Sequence, residues 1–387
     1  MATNSSDPDS SRRTLAASLR RDLGRKLVVL TGARQAGKTT LAHQLMADFE
    51  PAQYLNWDVP ADRQLISQQA WSPKARLVVF DEIHKMRDWK AFLKGAWDGR
   101  SKGQAMLVTG SARMETFRQG GESLAGRYYT WRLHPFSVRE LIETQGVTAA
   151  QALARLLERG GFPEPCLTES AVDADRWRAQ YATDLVREDV LDFSRVHEVR
   201  TLQLLFDLLR ERVGSPMKLS NLAQALHISP TTATRYVEIL EALYIVFRVT
   251  PWHRDVARSL LKEPKIYFLD SGLVKGDAGI KLENAVAAML LKHCHHRQDA
   301  EGKAVTLHTI RDKERNEIDF VLAEGDSVTD LVEVKLSDPV PSAYLHRMAE
   351  RFESARAVQL VGELRQPAQH GRVEVANADG WLAGLAA

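Results

Sequence analysis

An apolar run, Leu27-Val28-Val29-Leu30, leads into Gly32-Ala33-Arg34-Gln35-Ala36-Gly37-Lys38-Thr39 and then into the helix-forming stretch Leu41–Met46. A strand that passes into a helix through such a loop points to an α/β layer architecture. The glycines let the backbone curl, so that several N–H groups point inward as an anion nest. The helix that follows presents its positive end to the same place. The eight residues fit G-x-x-x-x-G-K-[ST] without a mismatch and read as a phosphate-binding loop. Gly32, Ala33, Arg34, Gln35, Ala36 and Gly37 supply the cradle. Lys38 reaches the β- and γ-phosphates, Thr39 ligates Mg²⁺ through its hydroxyl, and Thr40 completes the set. The plain alternative is a glycine turn between a strand and a helix.

A second element, Leu77-Val78-Val79-Phe80-Asp81-Glu82, reads as a buried strand with two carboxylates at its C-terminal edge, where open α/β sheets bind ligands. Asp81 is expected to support the Mg²⁺ shell and Glu82 to polarise the attacking water; otherwise both are solvated turn residues. The strand over residues 105–111 ends in Thr109-Gly110-Ser111. With an extra strand between the two motifs, a polar residue here touches the γ-phosphate or the water. Ser111 is the first choice and Thr109 the second, unless Ser111 simply caps the next helix. Arg127 is a candidate to act in trans on a neighbouring subunit's γ-phosphate, with Arg113 as its rival and a solvated arginine as the ordinary reading. ATP and Mg²⁺ are the cofactors these residues call for.

At 387 residues the chain exceeds one ordinary core. Its 44% hydrophobic and 26% charged residues suit a globular protein, and no apolar run approaches the roughly 20 residues of a membrane helix. Residues 1–13 are polar, with no apolar core of a signal peptide. Two cysteines give no disulfide framework, which fits a reducing cytoplasm. A net charge of +2 neither demands nor excludes nucleic acid. The expected organisation is a disordered tail (1–20), an ATPase core (21–137) with alternating strands and helices, and a helical lid or linker (138–200). The lid is broken by the rigid turn at 160–165. A helix pair with a hairpin (201–255) and a last α/β domain (256–387) follow.

Residues 219–251 read as helix, turn, helix and hairpin. Ser220 is expected to cap the first helix. Ser229 caps the second, which carries Pro230 at its first position. Ala233, Val237, Leu240 and Leu243 form the buried side, leaving Thr231, Thr232, Thr234 and Arg235 outward, and the strand-like YIVFRVTPW forms a wing. Such a winged helix places its second helix in a major groove. It serves equally as a protein-binding or lid module, because one arginine makes no dense basic stripe.

In the last domain, Asp319 within NEIDFV is followed by Leu331-Val332-Glu333-Val334-Lys335. Strand alternation puts Glu333 and Lys335 on one face, and the intervening turn brings Asp319 beside Glu333. That is the D…ExK constellation of PD-(D/E)xK nucleases. Asp319 and Glu333 would hold Mg²⁺, Lys335 would hold or activate water, and Glu283 would supply the helix carboxylate. The alternatives are a strand pair with ordinary charges, or the fold kept without catalysis. Lys292-His293-Cys294-His295-His296 reads as a polar helix end, since adjacent ligands diverge and no second cluster completes a zinc site.

Together GARQAGKTT, LVVFDEIHK, LVTGSAR, LAGRYYTWRLHPFSVREL and GGFPEP resemble one family: prokaryotic AAA-type ATPases with a C-terminal restriction-endonuclease-like domain. The resemblance spans nearly the whole chain after about Arg20. It implies an AAA+-like core and a homo-oligomer, a ring among the arrangements. The sequence reading is an α/β, Mg²⁺-dependent ATPase acting on DNA by translocation, branch remodelling or cleavage. A nucleotide-operated switch in a defence or toxin–antitoxin setting and a protein remodeller are its rivals.

Overall fold

The strand β1 (Leu27–Gly32) is fully buried and is an inner strand of a five-stranded sheet. The computed structural model describes residues 13–110, 124–184, 199–253 and 263–386. Two units divide the chain: Met1–His134 with Glu143–Gln145, and Pro135–Ile142 with Gly146–Ala387.

In the first unit, α1 (Ala16–Leu23), α2 (Lys38–Met46), α3 (Pro60–Ser67) and α4 (Trp89–Asp98) accompany the sheet. The strands β1, β2 (Ala52–Asn56), β3 (Leu77–Asp81), β4 (Ala105–Thr109) and β5 (Tyr128–Leu133) run in the order β2-β3-β4-β1-β5. All neighbours are parallel. Three of the five, β1, β3 and β4, fall where their apolar runs place them. Leu77, Val78, Val79 and Phe80 have no exposed surface, the continuous apolar run expected of a strand buried on both faces. The extra strand β4 separates β1 from β3, so the ends of β1, β3 and β4 meet at one edge. Within the tail expected over residues 1–20, the described residues 13–20 are folded. Arg13 is buried, and α1 begins at Ala16 with Leu19 and Leu23 in the core.

The second unit opens at Pro135 and takes in the first five residues of α5 (Val138–Gln145), then α6 (Ala149–Arg159), α7 (Pro163–Leu167) and α8 (Ala171–Asp184). The last three residues of the turn expected at 160–165 are thus helical, because Pro163 occupies a first helical position where its missing N–H costs nothing. Next come α9 (Val199–Arg210), α10 (Leu219–Ala225) and α11 (Pro230–Ala242). The long α12 (Ala278–Glu301) carries the histidine-rich segment, and α13 (Ala343–Arg351) and α14 (Ala378–Ala383) lie near the end.

These helices accompany an eight-stranded mixed sheet in the order β12-β13-β11-β10-β9-β8-β6-β7. Its strands are β6 (Val246–Pro251), β7 (Lys265–Phe268), β8 (Val305–Arg311), β9 (Glu317–Glu324), β10 (Ser327–Lys335), β11 (Arg356–Val361), β12 (Ala368–His370) and β13 (Val373–Asn377). The core under α13 gathers Ile318, Val321, Leu331, Leu345 and Val373. The strand expected to be a wing is instead an inner strand of this sheet: β6 pairs antiparallel with β7 and parallel with β8. The boundary expected at 255/256 therefore runs through one continuous sheet.

Asp270, just after β7, is buried and accepts a hydrogen bond from the Gly161 N–H. A β-carbon at Gly160, whose φ is +82°, would run into the same carboxylate. Burial pushes the Asp270 carboxyl up to about 6, against the pull of the Gly161 N–H and Arg178. The folded chain therefore keeps a proton between pH 3.8 and about 6 that the unfolded chain releases. This group favours the fold below that window, and the benefit is lost as pH rises through it, by about 3 kcal/mol in all. Asp270→Asn should flatten the pH dependence of unfolding free energy between pH 4 and 6.5; an unchanged slope would show that the carboxyl titrates normally.

Candidate functional site

The phosphate loop has a conformation that only its sequence allows. Gly32 has φ +145°, and a β-carbon there would collide with the Leu133 carbonyl of β5, so the first glycine permits strand packing. Gly37, at φ +95°, sits at the N-cap of α2, and Gln35 is also left-handed at φ +62°. Lys38 is buried, its ammonium donating to the carbonyls of Gly32 (3.0 Å) and Ala33 (2.7 Å). The Arg13 guanidinium donates to the carbonyls of Ala36 (3.0 Å) and His134 (2.5 Å), tying the loop to the end of β5.

Asp81 is the centre of the polar network. The Thr39 hydroxyl donates to its Oδ2 at 3.2 Å, and the Tyr54 hydroxyl donates to the same oxygen. Thr109 donates to Oδ1 at 2.5 Å. Burial and the Asp81 carboxylate raise the Tyr54 pKa and keep its proton in place. A hydroxyl paired with a carboxylate at the foot of a phosphate loop suits Mg²⁺, which takes one or two protein ligands and keeps several waters. Glu82 stands beside it in a left-handed conformation (φ +56°). Its carboxylate lies 3.4 Å from the Lys85 ammonium and 3.6 Å from the His84 ring. Burial raises its pKa, Asp81 adds to that, and Lys85 and Lys38 oppose it. Ser111 and Arg113 lie outside the described residues; Thr109, the second choice, is engaged with Asp81.

Arg127 does not stand free. Its Nε and Nη2 make a bidentate pair with Asp98 on α4, at 2.9 and 3.0 Å. Arg13 and Tyr54 escaped the sequence reading. The first sat in an assumed tail, and the second becomes a partner of Asp81 only through the parallel register of β2 and β3, where Asn56 pairs with Asp81.

In the second unit, α11 is capped by Ser229, which accepts from the Thr232 N–H at 3.1 Å. Ala233, Val237, Leu240 and Leu243 are buried, as the spacing predicts. Thr231 and Arg235 are exposed. The Thr232 hydroxyl is bonded to Ser229 at 2.8 Å, and that of Thr234 donates to the Pro230 carbonyl at 3.0 Å. Ser220 caps nothing; α10 begins at Leu219, after Lys218.

Farther along, β9 and β10 pair antiparallel with Val332 opposite Phe320, which sets Glu333 opposite Asp319. The Lys335 ammonium is 2.9 Å from Glu333, as expected of side chains two apart on a strand. Glu333 also accepts from Ser342 at 2.8 Å, and Asp319 from the Val334 N–H at 2.9 Å. Glu283, at the start of α12, accepts from the Tyr267 hydroxyl at 2.6 Å. Between these carboxylates sits the buried Lys265 of β7, ion-paired to Glu317, to Glu283 at 3.3 Å and to Asp319 at 3.7 Å. Among the described residues no group of three or more His, Cys, Asp or Glu side chains is disposed to hold a metal ion. As arranged, the expected Mg²⁺ set of Glu283, Asp319 and Glu333 is already engaged by ammonium groups, Lys265 against Glu283 and Asp319 and Lys335 against Glu333. The His293–His296 segment gathers no metal group either. A lysine opening the apolar run KIYF was the signal that reading missed.

Residues 24–142 match the profile of an AAA domain. Residues 150–283 and 278–378 match two domains of unknown function, DUF8612 and DUF4143. An uncharacterized protein of Mycobacterium tuberculosis is 32% identical over 70% of this chain, and the match spans 60% of that relative's length. An uncharacterized protein of Haemophilus influenzae is 22% identical over 92% of this chain and 93% of its own. Among solved structures, the Walker-type ATPase PABY2304 of Pyrococcus abyssi is 16% identical over 60% of this chain and 89% of its own, with a TM-score of 0.43. A Thermotoga maritima RuvB is 18% identical over 61% of this chain and 86% of its own, with a TM-score of 0.31. No described helix is long and apolar enough to cross a membrane.

The Arg127–Asp98 pair makes a direct test. If the pair is the whole role of Arg127, Arg127→Ala and Asp98→Asn should leave ATP turnover within about twofold of the parent, as expected of an exposed pair. Turnover lost in Arg127→Ala alone would show a role beyond Asp98. Glycine-shaped loop, lysine, hydroxyl and carboxylate lie together within a match to one family profile: this chain carries a P-loop ATPase domain of the AAA type.

Proposed function

We propose that the protein is a Mg²⁺-dependent ATP hydrolase that acts on DNA. The observation that carries the ATPase reading is the Asp81 carboxylate, held by Thr39 and Thr109 at the edge where β1, β3 and β4 end. When bound, Mg²⁺ supplies positive charge at the β- and γ-phosphate oxygens. Thr39 and Asp81 would hold it. Lys38, already inside the loop, would exchange its carbonyl partners for phosphate oxygens, and the nest of N–H groups around Gly37 would take the remaining charge. Glu82 would orient and deprotonate the attacking water. Its raised pKa suits a base that must accept a proton near neutral pH. Ser111 would face the γ-phosphate.

The DNA reading rests on the capped helix α11, whose exposed Thr231 and Arg235 are free to meet a groove or phosphates, while Thr232 and Thr234 brace its first turn. We assign residues 138–200 as a lid or linker, the helix pair Leu219–Ala225 and Pro230–Ala242 as a helix-turn-helix element without a wing, and the last sheet as a nuclease-like fold used for binding. A homo-oligomer, a ring among its forms, would place Arg127 at a neighbour's nucleotide. Translocation and branch remodelling both fit this arrangement.

Lys38→Ala should weaken ATP binding. Glu82→Gln should still bind ATP and hydrolyse it about a hundredfold or more slowly, as expected for loss of a positioned base. Undiminished turnover in Glu82→Gln would remove that residue from the chemistry. Thr231→Ala with Arg235→Ala should lower duplex or branched DNA affinity and reduce its salt dependence, with basal ATPase intact. Unchanged affinity, or ATPase indifferent to every form of DNA, would favour a nucleotide-operated switch.

A further inference from the structure

The carboxylates of the last domain already have a cation, and the chain supplies it. Lys265 enters from β7 with a side chain only 5% exposed, and its ammonium faces Glu283 of α12 and Glu317 and Asp319 of β9. An ammonium has three donors and no acceptor; Glu317 and Glu283 lie close enough to accept from it, and Asp319 at 3.7 Å adds charge without a hydrogen bond. Burial alone would lower the pKa of Lys265, but Glu283, Asp319 and Glu317 outweigh it, so the lysine stays charged.

The space around the cluster is also taken. Gly214, at φ +73°, abuts Glu283 so closely that a β-carbon there would stand 2.8 Å from Oε1. Tyr267 closes another side by donating to the same oxygen. Glu333 is turned to Ser342 and Lys335, and Asp319 is braced by the Val334 N–H. With Arg311 at 3.9 Å from Glu317, three cations (Lys265, Arg311 and Lys335) face four carboxylates. A divalent ion would leave this nearly balanced group with excess positive charge and would have to displace Lys265.

We infer that Lys265 is the resident cation of the Glu283–Glu317–Asp319 cluster, so the site works without a divalent ion as a polar lock joining β7, α12 and β9. This inference does not depend on the ATPase reading.

Mn²⁺ titration of the full chain without nucleotide, followed by the electron paramagnetic resonance signal of free Mn²⁺, tests it. The wild type should show no saturable site below about 1 mM that depends on Asp319. Lys265→Met should gain one site at least tenfold tighter, which Asp319→Asn in the same chain removes. Mn²⁺ should raise the melting temperature of Lys265→Met by more than that of Lys265→Met/Asp319→Asn, which keeps the Thr39–Asp81 site. A wild-type site abolished by Asp319→Asn would overturn the inference whether or not Lys265→Met folds. So would a folded Lys265→Met that gains no site.

Discussion

Three hydroxyls converge on the carboxylate of Asp81: Thr39 from α2, Thr109 from β4 and Tyr54 from β2. Each comes from a different element, and Asp81 itself ends the buried strand β3. At 5% exposure Asp81 has lost most of its water, and these three donors replace it. This network fixes the edge of the sheet at which the phosphate loop opens. The loop's shape follows from the same packing. Gly32 lets β5 lie against β1, Arg13 binds the Ala36 carbonyl to that strand's end, and Gly37 starts the helix that points at the phosphates. Nucleotide chemistry and strand packing thus share their residues.

The second unit uses buried charge differently. Lys292 pairs with Glu140 and donates to the Pro135 carbonyl, joining α12 to the start of the unit. Asp270 holds the Gly160–Gly161 backbone, and Lys265 holds three carboxylates. Broken one partner at a time, such pairs leave a buried charge without compensation. They therefore fix the relative register of helices and strands more than they add to net stability. The same principle separates the two carboxylate sites. Around Asp81 the partners are neutral hydroxyls, which leave negative charge for a cation to meet. Around Asp319 the partner is an ammonium, which has already met it.

The nucleotide site was legible because its parts are local. Gly32 to Thr39 is one turn of backbone, and Asp81–Glu82 terminate an apolar run whose composition marks it as a central strand. The spacing of Ala233, Val237, Leu240 and Leu243 likewise showed the buried face of α11, since helical period alone sets it. Readings that depended on distant pairing fared differently. YIVFRV has the composition of any strand, and nothing in it says that its neighbours are β7 and β8 rather than a hairpin partner. Asp319 and Glu333 do stand opposite each other, because a short turn fixes their register. Lys265 reaches them from more than fifty residues upstream in a strand that the hairpin does not specify.

By itself, then, the sequence determined the phosphate-binding loop, the strands β1, β3 and β4 of the first sheet and the buried face of α11. These rest on backbone geometry and side-chain period over a few residues. Tertiary structure decided that Tyr54 and Arg13 join the nucleotide site, that Arg127 is held by Asp98, and that an ammonium sits among the carboxylates of the last domain. Each of those depends on which strand lies beside which. That order is settled by burying whole faces at once, a sum over the chain that no short segment carries.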